Sequence, residues 1–206
     1  MCAAYCVGTK GDLKNYAYMW ILFVKVMKTA IAGAYLIDLD VYGDKRGFFL
    51  ESYQRKRYAA HGLDVEFVQD NRSLSQKGVV RGIHYQVEHP IGHIVYVTHG
   101  RVFDVGVDLR HNSPTFGRHI AFTLSAENNQ QLYLPPGVAH GFCTLGEENE
   151  ILYKCTEYYY PGDEAGVLWN DSDLGIQWPI NDPIIKPRDA VFPRLRDIDP
   201  ARLPKF

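Results

Sequence analysis

Short strand-like runs recur along most of the chain while a helical period hardly appears, and this pattern restricts the fold more than any other feature. Residues 34–42 alternate, with Tyr35, Ile37, Leu39 and Val41 against Leu36, Asp38 and Asp40, the period of a strand with one wetter face. After a turn at Gly43-Asp44-Lys45, residues 46–51 read as extended again. Further strands are expected in residues 65–73, 79–86, 94–97, 102–109, 120–124, 131–134, 142–145 and 150–158, with Gly, Pro or Asn between them. His99-Gly100-Arg101 joins two of these runs and predicts a hairpin. Residues 54–61 suit one or two helical turns closed by Gly62. Many short strands at this spacing indicate an all-β antiparallel sandwich or jelly roll. Beyond Pro161 the chain becomes irregular and rich in Pro and Asp.

A length of 206 residues fits one such domain with a single core. The net charge of -2 argues against a nucleic-acid surface. Four cysteines, Cys2, Cys6, Cys143 and Cys155, have neither CxxC spacing nor the density of a secreted scaffold, so the cytoplasm is the expected location. The apolar run at residues 16–24 is nine residues long, and a membrane span needs roughly 20; no membrane association is expected. Lys10 and Lys14 precede this run, but no clean small-residue cleavage site follows it. Residues 1–26 are therefore read as an appendage, with Met27 opening a domain of residues 27–206.

Chemistry concentrates in two places. In Gly78-Val-Val-Arg-Gly-Ile-His-Tyr-Gln86, strand alternation sends His84 and Gln86 to one face and Ile83 and Tyr85 to the other. Arg81 then lies on the wrong face to work with His84, unless Gly82 marks a bulge. In Pro135-Pro-Gly-Val-Ala-His-Gly-Phe142, a tight turn delivers His140 to the start of a strand. Taken alone, His84 reads rather as a hydrogen-bonded core histidine and His140 equally as a turn-capping residue; two strands apart, they favour a shared cavity. Gln69, Asn71 and Ser73 share a face that is either solvated or a row of ligand donors. Two histidines with Glu88 keep a metal reading open, although Gln86 stands where a metal-binding His-x-His pair would be completed. Without a metal, an imidazole, a tyrosine and a carboxylate suffice to move a proton at carbon beside a ketone. Tyr153, Tyr158, Tyr159 and Tyr160 are the available phenols.

Eight runs occur together in order: Arg46-Gly-Phe-Phe-Leu-Glu51, Phe67-Val-Gln-Asp-Asn-Arg-Ser73, Arg81-Gly-Ile-His-Tyr-Gln86, Phe103-Asp-Val-Gly-Val-Asp-Leu-Arg110, Ser113-Pro-Thr-Phe-Gly117, Pro136-Gly-Val-Ala-His-Gly-Phe142, Leu152-Tyr-Lys-Cys155 and Trp169-Asn-Asp171. From residue 28 to residue 193 the chain resembles the dTDP-4-dehydrorhamnose 3,5-epimerases. The resemblance implies a cupin-type jelly roll (double-stranded β-helix) that forms a homodimer. It implies no metal or organic cofactor, and dTDP-4-dehydro-6-deoxyglucose as the small-molecule substrate. It places the base at His84, an orienting carboxylate at Asp189 and the acid at Tyr153. Gln69, Asn71, Arg81, His140 and Glu164 match substrate-binding positions, and Tyr159 matches an aromatic stacked on the thymine. Arg46, Phe49 and Glu51 match a nucleotide-binding group, with Arg46 reaching across the dimer.

One position departs from that pattern. Gly92-His93-Ile94 stands where the resemblance implies Gly-Lys-Leu, with the lysine near the developing C4 oxyanion. A histidine of ordinary pKa loses most of its charge between pH 6 and pH 8, so His93 is expected to be a titrating replacement for a permanent cation.

Overall fold

The computed structural model describes residues 24–205. Two antiparallel sheets face each other, as the strand pattern predicts. The first has the order β1 (Val24–Lys28), β2 (Tyr35–Leu39), β10 (Gln130–Leu134), β7 (His93–His99), β12 (Glu148–Cys155) and β5 (Gln69–Gln76). The second runs β13 (Glu164–Gly166), β6 (Val79–Gln86), β11 (Val138–Thr144), β8 (Arg101–Asp108) and β9 (His119–Ser125). The short strand β14 (Ile184–Ile185) lies parallel to β6. Strands β3 (Val41–Asp44) and β4 (Gly47–Leu50) form a separate hairpin. The helix α1 (Arg55–Ala60) is capped by the Gln54 side chain, which accepts from the Arg57 N–H, and Gly62 follows at φ +88°. No helix among the described residues is long and apolar enough to cross a membrane.

Three sequence expectations are corrected. The run joined by Gly100 is not a hairpin: β7 and β8 belong to different sheets, and Gly100, at φ +72°, turns the corner between them. Alternation identifies which residues share a face but not which strand lies alongside. The core is not single either. Val95, Val97, Leu132, Ile151 and Phe142 pack between the sheets; Ile37, Tyr58, Leu63 and Ile94 lie under α1; Ile83, Tyr85, Val107 and Val167 lie under the C-terminal segment. Part of each sheet's outer face is covered, so on strands such as β6 and β8 residues on both sides are buried. Lastly, the boundary after residue 26 cuts through β1, whose Val24 is buried and pairs with Leu39. Residues 1–23, with most of the apolar run, lie outside the described residues.

Strand β8 shows how polar inner positions are accommodated. Asp104 and Asp108 are both 0% exposed. Asp108 accepts from Arg110 Nε at 2.8 Å, Arg110 Nη2 at 2.7 Å, and the Ser113 and Thr115 hydroxyls at 2.6 Å each. Burial raises its pKa, but these donors outweigh burial and bring it down to about 2.

The folded-state pKa of Asp108 lies below the unfolded value of about 3.9, so its stabilisation is complete above that pH and is lost as the pH falls toward 2. Asp108→Asn should therefore lower stability at pH 7 by about 2 kcal/mol and flatten the acid limb between pH 4 and 2 in denaturant titrations. An unchanged pH 7 midpoint contradicts this account. Truncation to Thr29 should cost about 2 kcal/mol, because it removes Val24 from its pocket and strips an edge strand from β2.

Candidate active site

The facing sheets share an interior whose character changes along its length. On β7 the inward residues run Val97, Val95, His93; on β12 they run Ile151, Tyr153, Cys155; on β11, Phe142 then His140. Registers align these changes: Tyr153 lies opposite Val95 and Asn71, Cys155 opposite His93 and Gln69, and His140 opposite His84. One end of the interior is therefore packed core, and the other opens into a cavity of about 770 Å³, a size suited to a small-molecule ligand. His84 and His140 are direct cross-strand partners rather than two strands apart, because β11 inserts beside β6.

Arg81 reaches the same cavity as His84 because β6 bulges. Its pairing with β11 shifts between His140, opposite His84, and Phe142, opposite Arg81. Gly82 sits at φ +115°, and a Cβ there would lie 2.5 Å from the Gly141 Cα. Glycine is thus required twice, by conformation and by space. The Arg81 guanidinium rests on the Ser75 hydroxyl at 3.1 Å and 3.2 Å.

The C-terminal segment closes the site from below. Pairing of β14 with Val79 and Val80 anchors it to β6, and the following 3-10 turn, Asp189–Val191, places Asp189 under His84. His84 Nε2 lies 2.8 Å from Asp189 Oδ2. Asp189 is 2% exposed and also accepts from Arg188 Nε at 3.2 Å and the Gly82 N–H at 3.4 Å. Burial raises its pKa, yet the bond from His84 and the other donors win and hold the carboxyl below its usual range. An ionised carboxylate only accepts, so Nε2 carries the imidazole proton and the free lone pair is on Nδ1. That nitrogen is 3.6 Å from Glu164 Oε1. Glu164 is bound in turn by Arg188 Nη1 and, at 3.1 Å, by the Tyr159 hydroxyl.

The opposite wall belongs to the first sheet. Tyr153 is half-buried, and burial raises its pKa, so at neutral pH it is a protonated phenol. His93 stands with its ring centroid 5.7 Å from that of Tyr153 and 5.6 Å from that of His140. Burial, helped by His140, pushes the His93 pKa down to about 3. The expectation of a titrating His93 is thereby overturned: it is neutral at both pH 6 and pH 8. His140 is held by buried Asp104, at 3.0 Å and 3.1 Å.

Gln69, Asn71, Arg81, His84, His93, His140, Tyr153, Tyr159, Glu164 and Asp189 all line this cavity. Arg46, Phe49 and Glu51 do not. Arg46 binds Asp44, Glu51 pairs with Arg57 at 2.8 Å, and Phe49 is 69% exposed on the β3–β4 hairpin. Glu88, considered for a metal, instead binds Lys205. Sequence reasoning missed Arg188 and Lys186, which bring cations to the cavity, and Asp104, which orients His140. The signal for Arg188 was its place beside Asp189; for Asp104, an inward position on β8.

Gly82→Ala should destabilise the fold by about 3 kcal/mol or more, since it combines a positive φ with a backbone clash. A melting temperature within a degree of the parent's would show that the bulge is not constrained in this way.

Residues 28–197 match the family model for dTDP-4-dehydrorhamnose 3,5-epimerase. The enzyme of that name from Salmonella typhimurium is 49% identical over 173 residues, covering 82% of this chain and 94% of its own. The Shigella flexneri enzyme is 46% identical over 178 residues, covering 85% and 98%. The crystal structure of the Legionella pneumophila 3,5-epimerase, in complex with dTDP-4-keto-L-rhamnose, superposes with a TM-score of 0.85 at 44% identity, covering 89% of this chain and 98% of that one. A facing pair of sheets, an imidazole on a buried carboxylate and agreement over nearly the whole length of these enzymes lead to one conclusion: the chain belongs to the dTDP-4-dehydrorhamnose 3,5-epimerase family.

Proposed function

We propose that this isomerase inverts C3 and C5 of dTDP-4-dehydro-6-deoxyglucose, giving dTDP-4-dehydro-L-rhamnose, the precursor of rhamnose, by enolate-forming proton transfer. One observation carries the mechanism: His84, held by Asp189 of the C-terminal segment, stands on one sheet and Tyr153 on the other, and both line the cavity. His84 Nδ1 takes the hydrogen at C3 or C5 as a proton, and the C–H electrons move into the C4 carbonyl to form an enolate. Tyr153 then donates its phenolic proton to the opposite face of that carbon, inverting the centre. Exchange with solvent returns a proton to the phenolate and removes one from the imidazolium. Both carbons flank the same ketone, so one base and one acid serve both inversions. Asp189 keeps the proton on Nε2 and stabilises the imidazolium as it forms.

Gln69, Asn71, Arg81, His140 and Glu164 hold the sugar and its diphosphate, and Tyr159, 48% exposed at the cavity mouth, stacks on the thymine. Arg46, Phe49 and Glu51 act from the partner in a homodimer. Their hairpin is separate from both main sheets and exposes Val41, Tyr42, Phe48 and Phe49, an apolar surface suited to a second copy. A cytoplasmic location fits the phosphorylated substrate and the unpaired thiols of Cys143 and Cys155.

Incubation with dTDP-4-dehydro-6-deoxyglucose in deuterated water should introduce deuterium at both C3 and C5, as located by NMR. Label at C3 alone would mean a single-centre epimerase, and no label would remove the enzymatic reading. His84→Ala should abolish exchange at both carbons while nucleotide binding persists. Retention of a tenth of the rate, a barrier increase of only about 1.4 kcal/mol, rules His84 out as the base. Tyr153→Phe should slow net epimerisation more than wash-out of substrate hydrogens, since the enolate still forms but lacks its acid. Equal losses in both assays would remove Tyr153 from that role.

A further inference from the structure

Gln69, Asn71, Cys155 and His93 stand in a chain of hydrogen-bonding groups whose direction is set, as far as the sulfur, by its first donor. The backbone N–H of Tyr159 can only donate, and it meets Gln69 Oε1 at 3.2 Å. The other end of that amide is therefore an NH₂ group, and Gln69 Nε2 donates to Asn71 Oδ1 at 3.0 Å. Asn71 Nδ2 donates in turn to Cys155 Sγ at 3.3 Å. An amide nitrogen offers no lone pair, so the thiol hydrogen cannot point back along the chain. His93 Nδ1 lies 3.5 Å from the sulfur, close enough to accept the thiol hydrogen when that nitrogen is unprotonated. A nitrogen that accepts holds no proton, so in a neutral ring the proton is on Nε2. Among the described residues Nε2 has no hydrogen-bond partner, and the ring forms part of the cavity wall.

We propose that this one-way relay makes Cys155 a positioning residue, which holds His93 as the Nε2–H tautomer and so gives the cavity a fixed, uncharged N–H donor for the C4 oxygen of the sugar. The donor role rests on the epimerase reading; the tautomer does not. Two features support the relay. Burial raises the Cys155 pKa to about 11, which keeps the thiol protonated. The groups facing His93 are His140 from β11, itself bound to Asp104 of β8, and Tyr153 and Cys155 from β12; none of these is a carboxylate in contact with the ring, so nothing there favours an imidazolium. A neutral donor stabilises an enolate oxygen less than an ammonium does, but its contribution does not change across the physiological pH range.

The test is a long-range ¹H–¹⁵N correlation spectrum of full-length, ligand-free protein carrying ¹⁵N-histidine, with the His93 signals assigned by their loss in His93→Gln. The expected pattern is the Nε2–H tautomer, unchanged from pH 5.5 to pH 8.5. Cys155→Ala should shift His93 toward a mixture of tautomers and lower kcat on the order of tenfold with a smaller effect on KM, while Cys155→Ser, which keeps a donor hydrogen, should restore both. The Nδ1–H tautomer or a titrating imidazolium in the parent protein overturns the relay, and so does a Cys155→Ala spectrum identical to the parent's. If Cys155→Ala fails to fold, the parent and Cys155→Ser spectra decide alone. An Nε2–H pattern in a protein that incorporates no deuterium into substrate would sustain the relay and overturn the proposed reaction.

Discussion

An ionised carboxylate sealed from water is costly unless donors surround it, and Asp189 is such a group. Its donors come from three places: the imidazole of His84 on β6, the backbone N–H of Gly82 within the β6 bulge, and the neighbouring Arg188. Satisfying one carboxylate therefore ties the C-terminal segment to the sheet, holds the bulge and sets the His84 tautomer. A chain end with little regular structure is made part of the site by the same contacts that lower the pKa of its acid.

The facing sheets supply the geometry that the proposed inversion needs. A proton removed from one side of a planar enolate must return from the other, so base and acid have to stand on opposite walls. Here the walls are separate sheets, each braced by its own outer cluster. Close-packed interiors yield little to local strain, so the separation of the walls is a property of the fold rather than of any one loop. The apolar end of the interior sets that spacing, and the polar end uses it.

Charge in the cavity is distributed unevenly. Arg81, Lys186 and Arg188 supply cations along its lining, the kind of group that binds a diphosphate. The pocket around His93 lacks such a group: a neutral imidazole, a protonated phenol and a protonated thiol meet there. In this chain the oxygen of a forming enolate would be met by hydrogen-bond donors rather than by full charge, and fixed donors in a water-poor site are effective because they need no reorganisation.

Local regularities were legible in the sequence. Period-two alternation placed Gln69, Asn71 and Ser73 on one face and His84 with Gln86 on another; Gln54 and Gly62 marked a helix; and the order and spacing of motifs identified the family. Each depends on neighbours within a few residues, or on side chains that the chemistry requires at a given spacing. Strand partners depend instead on how the whole chain closes, which is why the run through Gly100 read as a hairpin although its halves entered different sheets, and why His84 and His140 proved to be neighbours. The same holds for charge. The sequence names a histidine at position 93, but its charge follows from the desolvation and neighbours that only the assembled sheets provide. Residue identity and alternation are local properties, whereas pairing, burial and protonation belong to the packed interior, and these the tertiary structure decided.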